Sequence, residues 1–218
     1  MGIAANVVAV RQEIAEACAK VGRAPESVRV IAVTKNQAPD VLAELAAAGI
    51  TDIGENRLEH QSAMHPSAAQ FGLKIHAIGR IQGRQLAALV PLSDYLHSLC
   101  SIDHLNRLVS ACAGQTTPFP IFLQVNSSGE KAKAGVHPDQ LPELLQAVRT
   151  HTCLDLAGLM TMAPEGAEES LLRSTFRRLR ELGQQFQLPR LSMGMSQDFT
   201  IAIEEGATDI RIGTRLFV

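Results

Sequence analysis

Strand-like and helix-like segments alternate along almost the whole of this 218-residue chain, and that order leaves few folds open. Apolar residues recur at helical spacing over residues 3–20 (Ile3, Val7, Val10, Ile14, Ala17, Cys18), and Gly22 and Pro25 end that helix. Strand-like runs follow at Arg29–Lys35, Asp52–Asn56, Lys74–Gly79, Tyr95–Ser98, Pro120–Asn126, Leu154–Met160, Arg190–Met195 and Asp209–Gly213. Between them the spacing predicts helices at Pro39–Ala48, a short one from Arg57, then Gly83–Val90, Asp103–Ala113, Pro138–Arg149, about 165–186, and Gln197–Glu205. Such alternation implies parallel strands joined by right-handed crossovers. An α/β fold, a single (β/α)8 TIM barrel over residues 1–218 with an extra N-terminal helix, accounts for the count. An open doubly wound sheet usually carries a glycine-rich turn after its first strand, where this chain has Thr34-Lys35-Asn36-Gln37. Little chain follows the eighth strand, so the leading helix is expected to cover the face that a helix there would otherwise cover.

The composition, 46% hydrophobic and 19% charged with a net charge of −2, fits a soluble globular protein and gives no field that favours nucleic acid or an acidic membrane. No apolar run approaches the ~20 residues of a membrane span. The N-terminal residues lack the pattern of a secretory signal, so a cytoplasmic location is expected. Cys18, Cys100, Cys112 and Cys153 are widely spaced and sit among apolar residues, which reads as four buried thiols. The basic run Arg173, Arg177, Arg178 and Arg180 reads as the solvated face of a long helix. The other histidines, His60, His65, His97, His104, His137 and His151, have no partner at ligand spacing, so no metal site is expected.

In such a barrel the strand ends face one mouth, where the chemistry lies. Lys35 closes the run Val30-Ile31-Ala32-Val33-Thr34-Lys35; a lysine there is either a solvated strand end or the amine of a Schiff base. The other ends supply Glu55 and Asn56, His76, Ser98, Gln124, Asn126, Thr161, Ser196, Arg211, Gly213 and Thr214. Glu55 is the only acid among them, so no pair of carboxylates is set for acid–base work. Loops after strands seven and eight often bind phosphate in barrels. Here Ser196, read as a helix N-cap, and the Gly213-Thr214 turn are placed to do so. A lysine facing a phosphate cradle suits a ligand with an aldehyde and a phosphate, such as pyridoxal 5′-phosphate; a class I aldolase remains the rival.

The segments Val30–Lys35, Gly54-Glu55-Asn56-Arg57, Ile78-Gly79-Arg80-Ile81-Gln82, Gln124-Val125-Asn126, Gly158-Leu159-Met160-Thr161, Leu191-Ser192-Met193-Gly194-Met195-Ser196 and Arg211-Ile212-Gly213-Thr214 together resemble the pyridoxal phosphate homeostasis protein family. Its members look like the barrel domain of alanine racemase without the second domain. The resemblance implies a Schiff base on Lys35, phosphate held by Ser196, Gly213 and Thr214, the pyridine nitrogen facing Arg211, and Asn56 near the ring hydroxyl. The chain departs from the usual family pattern at Ile75-His76-Ala77, at Gly83-Arg84 and at Leu216-Phe217-Val218, which leaves the role of His76 open.

Burial behind an apolar strand would keep Lys35 neutral and able to attack an aldehyde. An acid at the pyridine nitrogen would keep it protonated and make the ring a strong electron sink; an arginine cannot accept that proton. The single tyrosine, Tyr95, begins a strand and so sits at the wrong end to serve as a second base. These points predict a coenzyme carrier with little or no turnover, with apo-enzymes or amino acids as partners, no nucleic acid or membrane partner, and a monomeric state. A slow amino-acid racemase is the alternative. The polar loop 130–135 is read as a lid over the mouth.

Overall fold

The computed structural model describes residues 2–130 and 134–218. Its strands are β1 (Arg29–Val33), β2 (Asp52–Glu55), β3 (Lys74–Ala77), β4 (Tyr95–Leu99), β5 (Phe119–Gln124), β6 (Leu154–Met160), β7 (Arg190–Met195) and β8 (Asp209–Ile212). They pair in parallel in chain order, and β8 returns to β1 with Arg29 opposite Asp209 and Ala32 opposite Ile212, which closes the barrel. The helices are α1 (Ile3–Lys20), α2 (Val41–Ala47), α3 (Leu58–Phe71), α4 (Leu86–Leu89), α5 (Ile102–Ala111), α6 (Leu141–Arg149), α7 (Glu169–Gln185), α8 (Phe199–Glu204) and α9 (Thr214–Phe217). The alternation read from the sequence is therefore the architecture, and α1 has the expected span.

Strand alternation divides the buried residues into two sets. Ala32, Ile53, Ile75, Ala77, Leu96, Ile121, Leu123, Leu159 and Ile210 join the helices in one apolar cluster between the barrel wall and its coat. Ile31, Val33, Phe122 and Met160 are equally buried but lie outside that cluster, because they face the barrel interior. The interior is thus a separate compartment, and it carries polar groups as well.

Several helices differ from their predicted extent. The helix after β2 runs 14 residues, although Pro66 removes one of its hydrogen bonds. Its buried stripe, Gln61, Met64 and Ala68, continues through the proline, and Gly72 ends it at φ 65°. The segment at 83–90 is instead a four-residue α4 between two 3-10 turns, bounded by Gly83 and Pro91. The long α7 starts at Glu169 because the chain first turns at Gly166, where φ is 68°. Its arginines do more than meet solvent. Arg173 pairs with Glu204 at 2.6 Å, while Arg177 and Arg180 pair with Glu205 at 2.9 and 3.2 Å, so they tie α7 to α8. Of the four thiols, Cys18 and Cys112 are buried and Cys100 and Cys153 are half-buried, which corrects the expectation for the latter two. Among the described residues no helix is long and apolar enough to cross a membrane.

α1 packs on α8 and α9 across the seam where the barrel closes. The buried Asn6 side chain donates to the main-chain oxygens of Leu216 (3.1 Å) and Val218 (3.3 Å), which satisfies acceptors left open at the end of α9. Because α9 starts directly after Gly213, this clasp also steadies one side of the barrel mouth. Replacing Asn6→Ala is expected to lower the unfolding free energy by about 1–3 kcal/mol. Faster amide exchange at Leu216 and Val218 should accompany that loss, and unchanged protection there would refute the clasp.

Candidate functional site

β1 ends at Val33, and the next four residues form a tight turn in which the Gln37 amide donates to the Thr34 carbonyl at 3.0 Å. Asn36 takes a positive φ of 66°, which asparagine tolerates better than most residues. Lys35 continues the register of Ile31 and Val33 and so follows the interior side of the strand, but it is exposed at the mouth. Burial behind the apolar strand was expected; the turn starts too early to provide it.

Thr34 points the other way and braces this turn from behind. Its hydroxyl donates to Glu55, which is fully buried. The second Glu55 oxygen lies 2.7 Å from His60 Nδ1, and His60 Nε2 lies 3.0 Å from the Gln37 carbonyl oxygen. A carboxylate at the end of β2 and a histidine in the first turn of α3 therefore pin the turn that carries Lys35. His60 had been read as unpartnered. The available signal was an acid at a strand end followed five residues on by a histidine on the next helix.

Asn56 is exposed just beyond β2. Its backbone lies against Gly79, where a Cβ would come within 2.2 Å of the Asn56 carbonyl oxygen, so only glycine allows these two mouth loops to touch. On the opposite side the Gly213 amide donates to the Ser196 hydroxyl at 3.2 Å, which joins the loops after β7 and β8. Thr214, exposed, opens α9 beside them. Ser196 is not the cap of α8, as expected; Asp198 occupies that position, and its carboxylate accepts the Met195 amide at 2.6 Å. Gly194 makes this turn possible at φ 92°, with α8 so close that a Cβ would stand 2.6 Å from that of Ala202. Residues 131–133 of the expected lid lie outside the described residues.

Arg211 is buried in the barrel interior at 3% exposure. Its Nη1 donates to Ser192 Oγ at 2.7 Å and its Nη2 to the Thr161 carbonyl at 2.9 Å. Those bonds use two of the five guanidinium N–H groups and leave the others for a ligand. Burial lowers its pKa to about 10, against the pull of Asp198 and Asp209, so it remains a cation at neutral pH. Arg211 forms no salt bridge with Glu55, which is taken by Thr34 and His60.

His76 is not at the rim. It is fully buried in the barrel, with Nε2 2.8 Å from Asp52 Oδ1, Nδ1 2.8 Å from His97 Nε2, and its ring stacked on Tyr95. His97 in turn has Nδ1 2.9 Å from Ser192 Oγ and stacks on Phe122. At the floor of the barrel Asp52 meets Arg29 at 3.3 Å, Arg190 meets Asp209 at 2.6 Å, and the Tyr95 ring lies beside both arginines. The polar interior is not legible in the sequence because its hydrogen-bonded partners sit 19 or more residues apart. Its trace there is a histidine inserted between wall-facing apolar neighbours, as in Ile75-His76-Ala77. Among the described residues no cluster of His, Cys, Asp and Glu could hold a metal ion.

The alanine racemase N-terminal domain family matches residues 6–218 of this chain. The chain is 38% identical to the pyridoxal phosphate homeostasis protein of Pseudomonas aeruginosa, over 99% of its own length and 94% of the relative's. It is similar to the structure of PipY from Synechococcus elongatus with PLP bound, with TM-score 0.81, 32% identity, and 94% and 100% of the two chains covered. Alanine racemase from Corynebacterium glutamicum shares the fold alone, with TM-score 0.74 at 15% identity over 98% of this chain and 59% of that one.

Burial pushes His97 well below the ordinary 6.5 of a histidine; it also lowers His76, where Asp52 opposes it, and His104. Below pH 6.5 the unfolded chain therefore binds protons that the folded chain refuses. Stability from these groups is complete above that pH and falls as the pH drops towards their folded-state values. Each adds up to about 1.4 kcal/mol per pH unit to the decline. Urea unfolding between about pH 7 and 5 should show this slope, and His97→Phe should remove one histidine's share. An unchanged slope in that variant would contradict a neutral His97.

Proposed function

The chain belongs to the pyridoxal phosphate homeostasis protein family, and on that premise we propose that it binds pyridoxal 5′-phosphate at the barrel mouth, holds it through Lys35 as a Schiff base, and serves as an intracellular reserve of the coenzyme with little or no turnover. The groups at the mouth suit that molecule. Lys35 follows β1, the joined Ser196–Gly213 pair with Thr214 follows the neighbouring β7 and β8, and Arg211 lies beneath with unused N–H donors. Bound there, the coenzyme would supply an aldehyde and Lys35 the amine that holds it. The exposure of Lys35 lets a competing amine approach, as reversible storage requires. Asn56, on the loop packed against Gly79, is assigned to the ring hydroxyl.

The observation that carries the carrier reading is Arg211. A buried cation that can only donate cannot keep a ring nitrogen protonated, so the chain offers little stabilisation to a carbanion. The position of Tyr95 points the same way. The chain has one tyrosine, and its ring lies at the barrel floor between Arg29 and Arg190, away from Lys35.

Borohydride reduction of the loaded protein followed by peptide mass spectrometry is expected to place the coenzyme on Lys35, and Lys35→Ala should abolish both that adduct and the yellow colour. Loss of the Ser196 and Thr214 hydroxyls together is expected to weaken binding by about tenfold or more, equivalent to ~1.4 kcal/mol. Exchange of α-deuterium from amino acids faster than about 1 s⁻¹ would replace the carrier reading with that of a racemase.

A further inference from the structure

Inside the barrel, beneath the mouth, runs an unbroken line of buried polar groups: Asp52, His76, His97, Ser192 and Arg211, with successive contacts of 2.8, 2.8, 2.9 and 2.7 Å. All are buried, and they come from β2, β3, β4, β7 and β8. The two ends have fixed character. Arg211 has only donors. Asp52 is an acceptor, held as a carboxylate by the hydroxyl of Thr51 and the guanidinium of Arg29.

With both rings kept neutral by burial, the fixed ends leave one arrangement for the middle. Asp52 requires a proton on His76 Nε2, so a neutral His76 presents Nδ1 as an acceptor. His97 must then donate from Nε2 and accept at Nδ1. Ser192 must donate its hydroxyl to that nitrogen, and its oxygen is left to accept from Arg211. Every bond points the same way, from the mouth to the floor. Reversing any one of them would set two donors or two acceptors face to face in a site closed to water, at a cost of about 1–3 kcal/mol.

We propose that this one-directional line positions Arg211, so that Ser192, His97 and His76 are positioning residues for the guanidinium that faces the ring nitrogen of the bound coenzyme. The assignment rests on the coenzyme site described above, but the orientation of Arg211 can be measured without the coenzyme. Ser192 and the Thr161 carbonyl hold the two Nη atoms separately, which stops the guanidinium from rotating and aims its unused N–H groups upward. Thr161 is itself fixed, since its hydroxyl donates to the Val125 carbonyl at 2.9 Å and its amide to the Ser192 carbonyl at 3.1 Å. Removal of the Ser192 hydroxyl frees one side of the guanidinium and leaves His97 Nδ1 without a donor.

Nitrogen-15 NMR of the full chain tests this. In the wild type both His76 and His97 are expected as neutral rings protonated at Nε2, and the Arg211 Nη signals are expected to be resolved by hindered rotation. In Ser192→Ala the Nη signals should merge and pyridoxal 5′-phosphate should bind about tenfold more weakly. Ser192→Thr, which keeps a hydroxyl, should recover both properties; His97→Gln gives a second break should Ser192→Ala fold poorly. Adding the coenzyme to the wild type should shift the His97 Nδ1 resonance, and that shift should be absent in Ser192→Ala. A charged ring, a proton on either Nδ1, or resolved Nη signals with unchanged affinity in a folded Ser192→Ala would overturn the proposal. A wild type that binds no coenzyme would defeat the site reading instead, and the ring protonation and Arg211 signals would then decide the positioning claim alone.

Discussion

A guanidinium enclosed in a barrel has to be stabilised by what the barrel walls offer, and much of the interior follows from that need. Taking Arg211 out of water lowers its pKa to about 10, a cost of a few kcal/mol at about 1.4 kcal/mol per unit. A hydrogen bond to a charged group contributes about 1.5–3 kcal/mol. The bonds to Ser192 and Thr161 are thus of the right size to offset the burial, provided their acceptors are held in place. Ser192 can accept only if its own proton has somewhere to go, and that takes it to His97. The same requirement passes to His76 and stops at Asp52, where a carboxylate and the floor cations Arg29 and Arg190 close the sequence. One buried cation near the mouth thereby orders the dipoles between it and the carboxylate of Asp52.

That demand explains which features could be read in the sequence. Strand and helix order was legible because each wall-facing position must be apolar to pack under a helix, and runs such as Val30–Val33 and Phe119–Leu123 carry that signal locally. The mouth residues were legible by position, since each ends a strand. Interior contacts were not, because a barrel brings side chains of β2, β3, β4, β7 and β8 together across its interior, and no local spacing links His76 to His97 or His97 to Ser192. His76 was placed at the rim because β3 was extended to Gly79, whereas the strand stops at Ala77 and the histidine falls one layer lower. Ser196 was taken for a helix cap because it precedes α8; the positive φ of Gly194 turns the chain so that Asp198 takes that place.

The two sides of the mouth are built to different standards of rigidity. The Lys35 turn is fixed from behind by Thr34, Glu55 and His60, yet the amine itself stands in solvent. Beside it, on the strand that pairs with β1, Gly213 is already bonded to Ser196, and α1 clasps the helix that follows. An exposed amine thus stands next to two loops that are already joined to each other.

The charge at position 211 is matched to the groups beneath it. A carboxylate in its place would accept the proton of a ring nitrogen and strengthen its electron sink, and it would also remove the cation that Asp198 and Asp209 attract. The line from His76 to Ser192 would then have to reverse, because a carboxylate at the mouth accepts where the guanidinium donates. Two acceptors, at the mouth and at the floor, would compete for protons that neutral histidines cannot both supply. The interior of this barrel is therefore matched to a donor at position 211, and that match extends through four strands beneath it rather than resting on one residue.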